Sequence, residues 1–570
     1  MMTRMARKPS NLIYGIEDQP SLATTLILGL QHIFILSIAF IFPVVIVGEI
    51  GGTPNDAQNL ICMAMLATGF ATMIQSVNRG PIGSGYLCPL VNGPAFVPAS
   101  LLAGKAGGLA LIFGMTAFAG LFEVLFSRLV PRMRKFFPPE VTGTVVLMVG
   151  VEVIPIAIPK FFGVDQAHPA IHPLSLLVAV ITLMAMAAFN VWGRGKLRLY
   201  SLLIGMAIGY AVSFGCGLLS MENIEVITSS PPFRVPQVGR FGISFDLALA
   251  MPFLVAALSS ALKTMGDLTT CQKINDADWK RIDMISISKG LLACGAGNIA
   301  SGLLGALGQS VSSSNIGLAI ATGATSRRIG YAAGGLLMLL AFFPQLAAIF
   351  VIMPTPVMGA SLIFAVCFMI LAGIQIITSR MIDARKTFVI GFSMIFGLSF
   401  DFIPGLYAGL PPTWSSLFSS SLAVATICAV SLNLLFRLGV SKRAKLQLQP
   451  GVDSSQAIFE FMEKQGGAWG ARKEVIYNAI AALNEMLEAA EIIGIKDKVE
   501  VDVQFDEFNL DARASYRGEP FEIPRMPPAS MAEDRTAPLH LAAYMIGRYA
   551  DRVAFSSKDG MTELLLHFDH

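Results

Sequence analysis

Twelve stretches of about twenty apolar residues run through the chain, and they set what it can become. They lie near 23–48, 57–77, 109–128, 141–159, 173–193, 199–219, 246–266, 288–308, 330–353, 355–377, 387–404 and 414–437. A helix of that length crosses the hydrocarbon of a bilayer. Backbone amides in lipid have no water to bond, so helices are the structure these runs dictate. Composition agrees: 54% of the 570 residues are hydrophobic and 14% charged, against about 25% charged in soluble domains. A net charge of +3 gives no electrostatic basis for nucleic-acid binding. The seven cysteines are scattered and none has metal-ligand spacing, so neither disulfides nor a metal site is expected. The basic start MMTRMARKPSNLIYGIEDQP leads into no short apolar region with a small-residue cleavage site, so no cleaved leader is expected.

Two shorter apolar stretches, near 91–103 and 312–323, are rich in Gly, Pro, Ser or Asn and too short to cross alone. Counting both gives fourteen segments, with the short ones third and tenth. Charge supports this count. With the N-terminus inside, the inside loops hold 23 Lys and Arg and the outside loops four: Lys105, Lys160, Arg234 and Arg240. Such asymmetry fixes orientation, with both termini cytoplasmic in a multi-pass cell (plasma) membrane protein. Dropping either short segment would flip every later loop. Paired, breaker-interrupted segments in corresponding halves point to a seven-plus-seven inverted repeat with a site between them.

The residues then resemble a family. LGLQHIFIL carries Gln31 and His32. FFPPEVTGTVVLMVGVEVIPIAI (136–158), MPTPVMGA (353–360) and SNIGLAIATG (314–323) follow in order, the last bearing Asn315, Gly317, Thr322 and Gly323. This chain resembles the nucleobase–ascorbate transporters, the xanthine/uracil permeases, over about 20–440. The resemblance implies an all-α fold of core and gate domains with short strands in segments three and ten. Helices starting beside those strands would offer free N–H groups to a ligand. It also implies a homodimer, a small-molecule substrate and coupling to H+ or Na+, with no other cofactor and no enzymatic activity.

The substrate positions implied by the resemblance are Ala95, Phe96, Lys263, Ser314, Asn315 and Gly317, with Gln31, His32, Asp267 and Thr322 supporting them. Here the chain departs from its relatives. Lys263, in KTMGD, stands where the family has a Glu that accepts from nucleobase N–H groups, and Ser314 replaces a Gln or Glu. Lysine has three donors and no acceptor, so it suits an anion or a carbonyl. An unpaired charge at that depth costs at least about 2.5–3.5 kcal/mol, so something must compensate. Three readings stand: Lys263 meets an anionic or carbonyl-rich substrate such as a urate- or xanthine-like anion, pairs internally with Asp267 at i+4, or snorkels. Neutral uracil or xanthine uptake by proton symport is the alternative. His32 suits proton handling or a helix–helix hydrogen bond. Asp401 reads as structural.

The expected division is 1–21 cytoplasmic, 22–440 transporter, 441–454 linker and 455–570 a cytoplasmic α+β domain. In the last, 468–494 reads as one helix ended at Gly494, 499–518 as two strands turning near Asp506, then a helix and a last strand. The stretches ALNEMLEAA (482–490), YRGEPFEIP (516–524) and 541–568 resemble the ATP-binding domain of anti-sigma-factor serine kinases. That family's Mg2+-binding Asn falls on Ala489, its adenine-binding Asp on Tyr516 and its glycine lid on His540–Ala542. The resemblance therefore implies a degenerate, non-hydrolytic regulatory domain, with a cytoplasmic regulatory protein as its expected partner. A sensor derived from a transporter and a membrane-anchored kinase are the other functional classes. No Walker A motif appears, which argues against ATP-driven transport.

Overall fold

The computed structural model describes residues 7–133, 136–164, 170–194, 196–277, 279, 282–378, 382–403, 405–407, 409, 411, 418, 420–436, 442–451, 455–506, 509–524, 526–527, 537–558 and 560–569. The chain divides into two compact units, Met1–Asn433 and Leu434–His570.

The first unit is the fourteen-segment bundle expected from hydropathy. Segment 1 is Leu22–Leu36 and Ile41–Glu49, joined by a 3-10 turn; segment 2 is Pro54–Ser76. Segment 3 starts as strand β1 (Leu90–Asn92) and continues as a helix from Val97. That helix breaks at Gly107 and Gly108, where φ is −154° and +70°, and segment 4 runs on to Met133. Segment 5 is Pro139–Val151 with Ile154–Phe162, segment 6 Pro173–Val191 and segment 7 Ser201–Gly215. The second half holds segment 8 (Ala250–Asn275) and segment 9 (Met284–Leu304). Segment 10 is strand β2 (Gln309–Val311) followed by helix Ser313–Thr322. Segments 11 to 14 are Arg327–Leu340 with Pro344–Val351, Thr355–Ile377, Ala384–Phe402 and Ser421–Phe436. The two sets of seven form the inverted repeat. Segment 11 departs from the expected straight run: it bends by 85° between Leu340 and Pro344, because proline cannot donate to the preceding turn.

Glycines bring the helices into contact. A Cβ at Gly120 would lie 2.6 Å from the Ile299 nitrogen, and one at Gly295 2.7 Å from the Val124 nitrogen, so segments 4 and 9 touch backbone to backbone. Gly69 with Gly334 joins segments 2 and 11, and Gly143 with Gly373 joins segments 5 and 12. Small residues of this kind let membrane helices pack by dispersion where lipid offers no hydrophobic drive.

The two strands are non-helical backbone at membrane depth, so every amide needs a protein partner. β1 and β2 pair antiparallel, Leu90 with Val311 and Asn92 with Gln309. Side chains take the remainder. Thr72 Oγ1 accepts from the Leu90 N–H at 3.1 Å, and Asn298 Oδ1 accepts from the Gln309 N–H at 2.6 Å.

The second unit is a five-stranded antiparallel sheet in the order β3-β4-β5-β7-β6. Its strands are β3 (Lys442–Leu448), β4 (Val499–Phe505), β5 (Asn509–Arg517), β6 (Arg552–Lys558) and β7 (Met561–Asp569). Alternation works as physics requires: Val499, Val501, Val503 and Phe505 are buried, while Glu500, Asp502 and Gln504 face away. Helices Lys473–Ile492 and Ala537–Tyr549 supply the rest of the core through Leu483, Met486 and Ile546. Three expectations are corrected here. The supposed linker 441–454 contains β3, whose alternating pattern is short and charged. The stretch read as one helix breaks at Gly470 (φ +68°), separating Ser455–Trp469 from Lys473–Ile492. Residues 552–555, read as the end of a helix over 539–555, belong to β6, which pairs with β7.

Candidate substrate site

The antiparallel pairing of β1 with β2 starts the segment 3 and segment 10 helices from opposite ends of one two-stranded ribbon, and most candidate residues gather around it. Segment 8 runs past β2 and delivers Lys263, one residue short of a full turn after Ser260. Lys263 is 8% exposed. Its ammonium bonds Asp267 Oδ2 at 3.0 Å and also the Val311 carbonyl at the end of β2. Asp267 Oδ2 further accepts from Ser313 Oγ at 3.0 Å, at the first residue of the segment 10 helix. The i+4 pair anticipated from sequence is therefore present, but it is part of a larger knot: a cation, a carboxylate, a strand carbonyl and a hydroxyl at a helix start. The N–H groups of that helix start and Lys263 both favour negative charge nearby.

His32 makes the helix–helix hydrogen bond that was one of its two readings. Its ring does not bond the segment 8 side chain; Nδ1 pairs with Asn315 Oδ1 at 2.7 Å, and both residues are buried. Asn315 Nδ2 then donates to Ser312 Oγ at 2.9 Å. His32 thus fixes the first turn of segment 10 from one side while Lys263 and Asp267 hold it from another. Gln31, beside it, is buried with its Oε1 unpartnered among the described residues.

Ala95 and Phe96 sit just after β1. The Gly93 N–H donates to the Gly308 carbonyl at 2.8 Å, which ties segment 3 to segment 10. The Phe96 ring is 1% exposed and lies on Gly308, where a Cβ would come within 2.4 Å of it. It therefore packs inside rather than presenting a face to a cavity. Ala95 lines a small cavity with Pro98, Ala99, Pro252, Val255 and Leu422, between segments 3, 8 and 14.

Ser314 and Gly317 lie three apart on the uncovered face of the segment 10 helix; nothing stands within 4 Å of a Cβ at Gly317. Thr322 is not part of this group. Its hydroxyl returns to the Leu318 carbonyl at 2.8 Å, near the left-handed Gly323 that ends the helix.

Sequence reasoning missed five residues in and around this region. Val311 contributes only a carbonyl, which no side-chain motif can reveal. Ser310 is 1% exposed with an unpartnered Oγ, beside Gly93. Ser312 and Ser313 lie in the run GQSVSSSNIG (308–317), and the cluster of serines at a helix start was the available signal. Glu123, buried in segment 4, was hidden inside a run that hydropathy treats as uniformly apolar.

With this geometry in view, the likeness to known proteins is specific. A family model described as "Permease family", Xan_ur_permease, matches residues 23–406. A putative purine permease of Clostridium perfringens is 32% identical over 75% of this chain and 93% of its own. Xanthine permease XanP of Escherichia coli is 29% identical over 75% of this chain and 95% of its own. Uric acid permease PucJ of Bacillus subtilis is 27% identical over 74% of this chain and 94% of its own. Among solved structures, SLC26A9 superposes with a TM-score of 0.50 at 12% identity, covering 76% of this chain and 68% of that one. That likeness speaks for the fold.

Proposed function

This chain belongs to the xanthine/uracil permease family, and from that premise we propose that it is a secondary active transporter of a purine-type substrate carried as an anion. The substrate class follows the purine, xanthine and uric acid named for its relatives. The anionic form follows one observation: the only charged groups at the junction of β2 and segment 10, among the described residues, are Lys263 and Asp267. A urate or xanthine deprotonated at a ring nitrogen offers Lys263 an acceptor that Asp267 now supplies. The N–H groups at the start of segment 10 add to the attraction. On this reading the substrate displaces the Asp267 carboxylate from Lys263, and movement of H+ or Na+ balances the charge.

The ion pair also favours a second reading, in which Lys263 and Asp267 form a neutral structural clasp and the substrate is neutral xanthine or uracil. Uptake into proteoliposomes of radiolabelled urate, xanthine and uracil, for wild type and Lys263→Glu, separates them. Loss of urate uptake with Lys263→Glu supports the anion reading; uracil or xanthine uptake that is equal in both proteins sinks it. No uptake of any of the three by wild type sinks the transport reading and favours a sensor.

Part of the same proposal is that 455–570 is a regulatory domain that does not hydrolyse nucleotide, and that the chain lies in the plasma membrane with its termini cytoplasmic. Tyr516, at the position implied for an adenine-binding Asp, is 1% exposed and fills the core with its ring. Ala489 and Ala542 are buried alongside and have no group to hold Mg2+ or turn around phosphate. Tight binding of a fluorescent ATP analogue by the full chain would contradict this.

A further inference from the structure

At the start of β2, about one turn along segment 8 from Lys263, lies a second polar cluster that the substrate site does not use. Glu123 of segment 4 is 0% exposed. Its Oε2 accepts from Asn298 Nδ2 of segment 9 at 2.7 Å. That same nitrogen donates to the Gln309 carbonyl at 3.1 Å, while Asn298 Oδ1 accepts from the Gln309 N–H at 2.6 Å. One amide thus grips a carboxyl with one edge and the first residue of β2 with both. Glu123 Oε1 has no donor placed on it among the described residues. The Ser260 hydroxyl of segment 8 lies beside the carboxyl, but donates to the Gln309 carbonyl at 3.3 Å.

No counter-charge reaches Glu123 among the described residues. Segment 8 carries Lys263, Asp267, Cys271 and Lys273; Lys263 and Asp267 bond each other. Segment 9 carries Lys289 near its start and the thiol of Cys294, which is paired with Thr264. Segment 1 contributes Glu49, which meets Lys160. Asp246 caps the turn leading into segment 8, and Arg128 lies further along segment 4 itself. An ionised carboxylate in this place would have no cation beside it, and for its second oxygen only the Ser260 hydroxyl that already bonds the Gln309 carbonyl, a costly arrangement for a buried charge. A protonated one is neutral, and the Ser260 oxygen stands ready to accept its O–H.

We infer that Glu123 is a proton-carrying carboxyl whose ionisation is coupled, through Asn298, to the position of β2 and so to the substrate site. The coupling has a definite structure. On ionisation the Glu123 O–H bond breaks, the proton passes to water and the carboxylate gains a second acceptor. It then competes with the Gln309 carbonyl for the Asn298 amide. Gln309 begins the strand whose last residue, Val311, holds Lys263, and whose continuation carries Ser312 and Ser313. A change that favours one state of Glu123 must favour one state of this strand, and the reverse. Segments 4 and 9 are locked backbone to backbone at Gly120 and Gly295, so the change is transmitted to β2 rather than absorbed between the helices.

This inference rests on the transport reading, and the test separates the two. Infrared difference spectra of the purified full chain, taken between acidic and alkaline buffer, read carboxyl protonation without any transport. Wild type should show the C=O stretch of a protonated carboxyl that is missing in Glu123→Gln. Proteoliposome uptake of radiolabelled urate then reads the coupling. Wild-type uptake should fall about tenfold as external pH rises by about two units, while Glu123→Gln should change by less than about twofold. Glu123→Asp, which keeps the carboxyl, should restore the slope. Absence of the infrared band, or the same pH profile in wild type and Glu123→Gln, overturns the inference. A wild type that shows the band but accumulates no purine overturns the transport reading instead.

Discussion

Lys263 cannot be removed alone without leaving the partly buried Asp267 carboxylate beside a single hydroxyl. Breaking such a pair from one side costs about 3–5 kcal/mol, whereas replacing both partners is nearly neutral. Lys263→Met is therefore expected to lower the thermal midpoint of the purified protein sharply, and adding Asp267→Asn to recover more than half of the loss. If both variants unfold alike, the ion pair carries no weight in the fold. Gly317 gives the opposite case. A Cβ there meets nothing within 4 Å, and Ala is a better helix former than Gly by about 1 kcal/mol. Gly317→Ala should hold or raise the midpoint while lowering urate affinity, if the uncovered face of segment 10 meets substrate. Unchanged affinity would remove Gly317 from the site.

At the scale of elements, the contact between segments 4 and 9 and the sheet of the second unit each make a prediction. At Gly120 a methyl would lie 2.6 Å from a backbone nitrogen, which cannot move without moving segment 9. Gly120→Val should cost more than about 3 kcal/mol, read as loss of monodisperse protein in detergent, with Gly317→Ala as the tolerated control. In the sheet, His567 on β7 faces Asp511 on β5 at 2.6 Å and Asp569 at 3.4 Å. The hydrogen bond to Asp511 and then that to Asp569 raise the His567 pKa to about 9. The folded value lies above the ordinary 6.5, so this stabilisation is complete below about pH 6.5 and is lost as pH rises through about 9. Thermal unfolding of a fragment spanning 434–570 should weaken across that window, and His567→Gln should flatten the slope. A slope that survives His567→Gln would place the titrating group elsewhere.

For the whole molecule, the two units have separate cores, one closed by Tyr516, Leu564 and Phe568 and the other by helices of the first 433 residues. Ending the chain at residue 441 should leave a folded, membrane-inserted transporter unit, checked by size-exclusion in detergent. By itself the sequence determined the number of segments and the two interrupted ones. Apolar run length, loop charge and chain breakers are local quantities, and the bilayer acts on them locally. It likewise marked Lys263 and His32 as polar groups in apolar runs, and the resemblance marked Asp267 and Asn315, while Glu123 in segment 4 escaped both. Apart from the i+4 pair of Lys263 with Asp267, what partners those groups found was decided only in three dimensions. The pairing of β1 with β2 brings Val311 to Lys263 across 48 residues and Asn315 to His32 across 283. In the folded chain His32 meets segment 10, Phe96 packs on Gly308, and Glu123, Asn298 and Gln309 come together at the start of β2. A backbone carbonyl leaves no trace in a motif, and a buried carboxyl has meaning only once the helices around it show whether a charge lies in reach.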